Sequence, residues 1–141
     1  MSIPPFIDFV FESADKLTLY HGVRDPAVAR TIVKDGFDLD KIRPQWNNDL
    51  AVSTLTTERA VIEYFGTDRG LTVLRLDFRG RVVDHSALGY VPANDAREYT
   101  DEIVSRGIDA VRLGGSGARQ VFVYNLSCIR SVTVASVHPT R

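Results

Sequence analysis

Three glycines, Gly36, Gly66 and Gly107, each close a short amphipathic run, and the stretches between those runs are rich in β-branched and aromatic residues. This punctuation limits the fold more than any other feature of the chain. Asp25-Pro26 supplies an N-cap and a first-turn proline, and Val28, Ile32 and Val33 make one apolar stripe. With Gly36 at C′, the spacing predicts a helix over about 26–35. Thr56 or Thr57 caps a second helix through Phe65, with Ala60, Val61, Tyr64 and Phe65 on one side. A third is expected between Pro92 and Arg106, from the spacing of Ala96, Tyr99 and Ile103. Strands are expected at 17–22, 50–54, 72–78, 109–113, 120–124 and 129–137, with Arg79-Gly80 turning into 81–84. Isolated helices among strands, without βαβ alternation, specify an α+β fold on a largely antiparallel or split sheet. Residues 1–16 read as an N-terminal arm and 17–141 as a single domain. Residues 37–49 read as a long loop, and Gly114-Gly115-Ser116-Gly117 as a hairpin turn.

Composition excludes several classes. A chain of 141 residues with 44% hydrophobic side chains buries roughly two-thirds of its unfolded surface and needs no metal or disulfide to fold. Seventeen Lys+Arg against eighteen Asp+Glu give a charge of -1. That leaves no overall excess of cations for non-specific DNA binding, although a local basic patch is compatible with it. Cys128 is the one cysteine, so no disulfide framework or CxxC knuckle exists, and its apolar neighbours predict a buried thiol. No apolar run approaches the ~20 residues that span a bilayer. Met1-Ser2-Ile3-Pro4-Pro5-Phe6 has no basic segment of the secretory kind. The expected location is the cytoplasm, of the cell that makes the protein or of one into which it is delivered.

Familiar chemical signatures are missing. There is no GxGxxG or GxxxxGK[ST] loop and no GxSxG elbow, and His21, His85 and His138 lie far apart without metal-ligand spacing. What stands out is the order of Tyr20-His21-Gly22, Val52-Ser53-Thr54, Tyr64-Phe65-Gly66 and Gln120-Val121-Phe122-Val123-Tyr124-Asn125, with Gly107-Ile108-Asp109-Ala110-Val111 before the last. In this ordered set the chain resembles the ADP-ribosyltransferase superfamily, especially its diphtheria-toxin/poly-ADP-ribose-polymerase branch, over about residues 17 to 135.

The resemblance implies split antiparallel β-sheets with a few flanking helices and NAD as substrate, without a metal. It implies transfer of ADP-ribose to a macromolecular acceptor, a protein rather than a nucleic acid, as bacterial effectors, toxins or phage modifiers do. An NAD glycohydrolase, or an inactive module that binds NAD, ADP-ribose or a protein, are the alternatives on the same fold. His21, Ser53 and Gln120 take the catalytic positions, around one cleft with Tyr64. His21 would hydrogen-bond the adenosine-side ribose, Ser53 and Gln120 would position the ribose, and the Gly22 backbone would clamp the nicotinamide carboxamide. Tyr64 would stack on the nicotinamide ring, with Tyr20 and Thr54 also in the NAD site. Read without the resemblance, His21 and Tyr64 are equally core residues, Trp46 a lid or an edge cover, and Arg24, Arg30 and Arg43 phosphate ligands or surface charges.

The chain departs from the family at two places. Ser53 stands where that branch has a strand tyrosine, and Ser53-Thr54 resembles instead the Ser-Thr-Ser strand of the arginine-modifying toxins. Gln120 stands at the catalytic glutamate position, and Phe122 takes it in the toxin register, so neither supplies a carboxylate. A carboxylate some 5 Å from the forming oxocarbenium contributes about 3 kcal/mol at an effective dielectric of ~20, on the order of a hundredfold in rate.

Overall fold

Asp25 accepts a hydrogen bond from the Ala27 amide at 2.8 Å and Pro26 begins the helix, so α1 spans Pro26–Asp35 and ends at Gly36, whose φ is 84°. Thr57 caps α2, Glu58–Phe65, by accepting from the Ala60 amide at 3.0 Å. Asp95 caps α3, Ala96–Ser105, through the Glu98 amide at 2.9 Å. Each cap satisfies an amide that the first helical turn leaves without a partner. The computed structural model describes residues 14–38, 41, 50–114 and 120–141. Trp46, Arg43, Gly115-Ser116-Gly117, most of the 37–49 loop and residues 1–13 of the arm lie outside the described residues.

The strands are β1 (Asp15–Val23), β2 (Val52–Leu55), β3 (Leu71–Gly80), β4 (Val82–Asp84), β5 (Ala110–Leu113), β6 (Gln120–Val123) and β7 (Ile129–His138). Among the described residues they form one seven-stranded sheet in the order β4-β5-β6-β2-β1-β3-β7, antiparallel except for the β4–β5 pair. The fold class is therefore α+β. The expected split takes a different form: the strands share a single sheet, but its two halves meet at a narrow seam. β1 pairs with β3 from Asp15↔Gly80 to Val23↔Thr72, whereas β1 and β2 share only Tyr20↔Leu55.

Both faces of the sheet are buried over much of its area. Leu19, Val23, Leu74, Leu76, Phe78, Val52, Val121 and Val123 pack beneath α1. On the opposite face Phe122, Tyr124 and Val111 pack against Ile103 of α3, and Val73 and Leu71 against Val61 of α2. The alternation along β6 follows the strand period, Val121 and Val123 to one layer, Phe122 and Tyr124 to the other. β3 runs two residues further than expected, ending at Gly80, and the chain passes through Arg81 into β4. A Cβ at Gly80 would lie 2.8 Å from Asp109 Oδ2 and 3.0 Å from Cys128 Sγ, so glycine admits the β5 and β7 segments at this point. Cys128 is buried, and burial together with the Asp109 carboxylate pushes its thiol pKa up.

Candidate functional site at the sheet seam

Beyond Tyr20↔Leu55 the β1–β2 ladder stops, and the Ser53 carbonyl meets a side chain instead of a β1 amide. His21 Nδ1 donates to it at 2.7 Å. A carbonyl only accepts, so the Nδ1 nitrogen carries the proton and Nε2 is left as an acceptor. The Phe37 ring stands edge-on to the imidazole, with centroids 5.2 Å apart. Burial holds the His21 pKa below its usual 6.5, and the Ser53 carbonyl acts in the opposite direction. The imidazole is accordingly neutral at pH 7.

The Ser53 hydroxyl turns to the other strand. Gln120 Nε2 donates to Ser53 Oγ at 3.1 Å, and the Gln120 amide oxygen is an acceptor without a partner among the described residues. Ser53 lies opposite Phe122 and Gln120 opposite Leu55, so both polar groups share the face of Tyr20 and Gly22. The His21 ring leaves β1 on the face of Leu19 and Val23. The grouping expected around one cleft is thus divided: His21, on the Ser53 carbonyl, and Gln120, on the Ser53 hydroxyl, lie on opposite faces of the sheet, and of the four residues grouped there only His21 and Ser53 line the cavity at the seam.

The other expected NAD residues divide. Thr54 is buried and donates to the Val121 carbonyl at 2.8 Å, closed to any ligand. Tyr20 packs against the cluster of Val61, Leu71 and Val73. Tyr64 is 77% exposed, although it shares the helical face of the buried Ala60 and Val61. It lies neither in the core nor on the cavity wall. Phe65 takes the inward place: a Cβ added to Gly22 would fall 2.7 Å from Phe65 Cε2, so this glycine allows the ring to lie against the β1 backbone.

Arg24 braces that ring. Its guanidinium donates to the carbonyls of Gly66 at 3.1 Å and Gly70 at 2.9 Å, and also to that of Phe65, while lying 5.4 Å from the Phe65 ring centroid. Its donors are therefore directed to the C-terminal end of α2 rather than to open space. Arg30 is exposed on α1. The sequence carried a signal for this brace in Gly66 and Gly70, glycines that close a turn beside an arginine at the end of β1. A second brace is Asp109, which accepts from Asn125 Nδ2 at 2.9 Å and from the Arg81 amide at 2.7 Å.

A cavity of about 1390 Å³ opens at the seam, walled by His21, Gly22, Ser53 and Phe65 and extending between α1 and α3 to Asn125. That exceeds the ~300–1,000 Å³ of pockets for drug-sized ligands and suits an extended molecule. Among the described lining residues the carboxylates are Asp35, Asp38 and Asp101, and the cations Arg24 and Lys41. No group of three or more His, Cys, Asp or Glu gathers as a metal site among the described residues. No described helix is long and apolar enough to cross a membrane. The sequence matches no protein-family model and no curated protein.

Proposed function

We propose that the seam cavity binds NAD and that the domain transfers its ADP-ribose unit to an acceptor. The observation that carries this reading is a cavity large enough for a dinucleotide, lined by His21, Gly22, Ser53 and Phe65, with Gln120 outside the lining but hydrogen-bonded to the Ser53 hydroxyl. In this reading a ribose hydroxyl donates to His21 Nε2, and Gln120 acts from outside the cavity lining by holding the Ser53 hydroxyl toward the ribose. The nicotinamide carboxamide lies along the Gly22 backbone with its ring against Phe65, the aromatic side chain that lines the cavity there. In the reaction the bond between ribose C1′ and the nicotinamide nitrogen breaks, and nicotinamide leaves with the electron pair. An acceptor nucleophile then bonds C1′ and gives up its proton. The protein's part is to fix the two ends of NAD and align the acceptor.

The amide at position 120 favours a second reading, a module that binds NAD without turnover. Gln120 orders a ribose but does not offset the positive charge of the oxocarbenium, which a carboxylate does. Incubation with NAD labelled in both halves, followed by separate counts of free nicotinamide and protein-bound label, decides among the readings. Transfer gives both products, hydrolysis nicotinamide alone, and a binding module neither.

A further inference from the structure

On the outer face of β1, β3 and β7, away from the seam cavity, three cations converge. Lys16 and Arg79 are direct cross-strand partners, an arrangement in which like charges repel across about 5 Å. Arg130 joins them through an irregularity in β7. Asp77 pairs with Ser131 but Phe78 with Ile129, so Arg130 is the extra residue of a bulge. Such bulges re-aim side chains. Here Ile129 packs toward the core while Arg130 lines the same concavity of about 300 Å³ as Lys16, Thr18, Asp77 and Arg79. No ion pair or side-chain hydrogen bond engages Lys16, Arg79 or Arg130 among the described residues. The one carboxylate on this wall is already occupied: Asp77 accepts from Ser131 Oγ at 2.7 Å and faces Arg75 at 3.8 Å.

We propose that this concavity is an anion site for a phosphoryl group, whether free phosphate or a phosphomonoester on another molecule. Side-by-side cations without partners among the described residues, held against their mutual repulsion, are stabilised by a ligand that carries nearly two negative charges and three acceptor oxygens. Lys16 supplies a point charge with three donors, and Arg79 and Arg130 planar forks that match phosphate oxygens. The Thr18 hydroxyl lies on the same wall. A chain whose formal charge is -1 thus keeps a local positive field on one sheet face.

The test is the melting temperature of the intact chain in inorganic phosphate against chloride at matched ionic strength, for wild type, Lys16→Gln and Arg79→Gln. Phosphate at tenfold excess over its Kd is expected to raise the wild-type value by about 5 °C. In chloride each variant is expected to melt at or above the wild type, since the repulsion is relieved, and each loses the phosphate response. A phosphoserine peptide titrated in parallel separates the sources: tighter binding than phosphate points to a phosphorylated chain, equal binding to the free ion. No advantage of phosphate over chloride, or variants that retain the full response, would overturn the proposal. So would variants that melt well below the wild type in chloride, which would mean that these cations stabilise the fold by themselves.

Discussion

His21 Nδ1 and the main-chain oxygen of Ser53, 2.7 Å apart, tie β1 to β2 where their backbone ladder has already ended. One side chain does there what a further pair of strand hydrogen bonds would do elsewhere, and it keeps the seam open. The bond also fixes the imidazole tautomer, so the same contact that joins the sheet presents Nε2 as an acceptor.

That contact makes stability depend on pH. The folded chain holds His21 neutral with its pKa below 6.5, whereas the unfolded chain binds the proton at about 6.5. As pH falls below that value the unfolded state takes up more protons, and the fold loses stability. Urea midpoints between pH 7 and pH 5 are expected to fall further for the wild type than for His21→Gln. Parallel curves would mean that His21 titrates as an ordinary exposed imidazole.

Gly22 has little room for a side chain. A methyl group there would meet Phe65 Cε2 at 2.7 Å and Cδ2 at 2.8 Å, with Val61 Cγ1 at 3.0 Å. Gly22→Ala is expected to cost about 1–3 kcal/mol in urea unfolding, the range of an overpacked site. Adding Phe65→Leu should recover part of that loss, which a double-mutant cycle reads as coupling between the two positions. Additive effects would place the two residues out of contact.

Arg24 holds the end of α2 to the end of β1 through three carbonyls and the Phe65 ring. Arg24→Ala leaves those carbonyls to water and is expected to cost about 1–2 kcal/mol. Faster amide hydrogen exchange should appear first in the last turn of α2. Lysine lacks the planar fork and is expected to restore less than half of the loss. Unchanged exchange in Arg24→Ala would show that α2 holds its place without the brace.

Local punctuation was legible in the sequence, and long-range order was not. Asp25-Pro26 and Gly36 bound α1 at the residues expected, because caps act within a few residues of themselves. The order of strands is set by which apolar faces meet, so the place of β2 between β1 and β6, and the one-pair seam, follow from tertiary packing. Gly80 ends β3 next to the step into β4, but its second role, making room for Asp109 and Cys128, involves residues far away in the chain and was not readable. The same limit explains Tyr64. Ala60, Val61, Tyr64 and Phe65 share a broad stripe in sequence, and the packing of α2 on β1 and β3 decides that Phe65 faces inward and Tyr64 outward. At the seam the sequence grouped His21, Ser53 and Gln120, but the sharing of Ser53 between carbonyl and hydroxyl, and the position of Gln120 outside the cavity lining, follow from the packing of the strands.

The reading of the seam as an NAD site with Gln120 facing the scissile bond is tested most directly by nicotinamide release from NAD, wild type against Gln120→Glu. If position 120 reaches the scissile bond, a carboxylate there faces the forming cation, and about 3 kcal/mol of Coulomb stabilisation corresponds to a gain of up to about a hundredfold. A folded Gln120→Glu protein that binds NAD is expected to release nicotinamide faster than the wild type by a factor within that range. The same protein, folded and saturated with NAD yet no faster than the wild type, would contradict the placement of Gln120 and with it the proposed site.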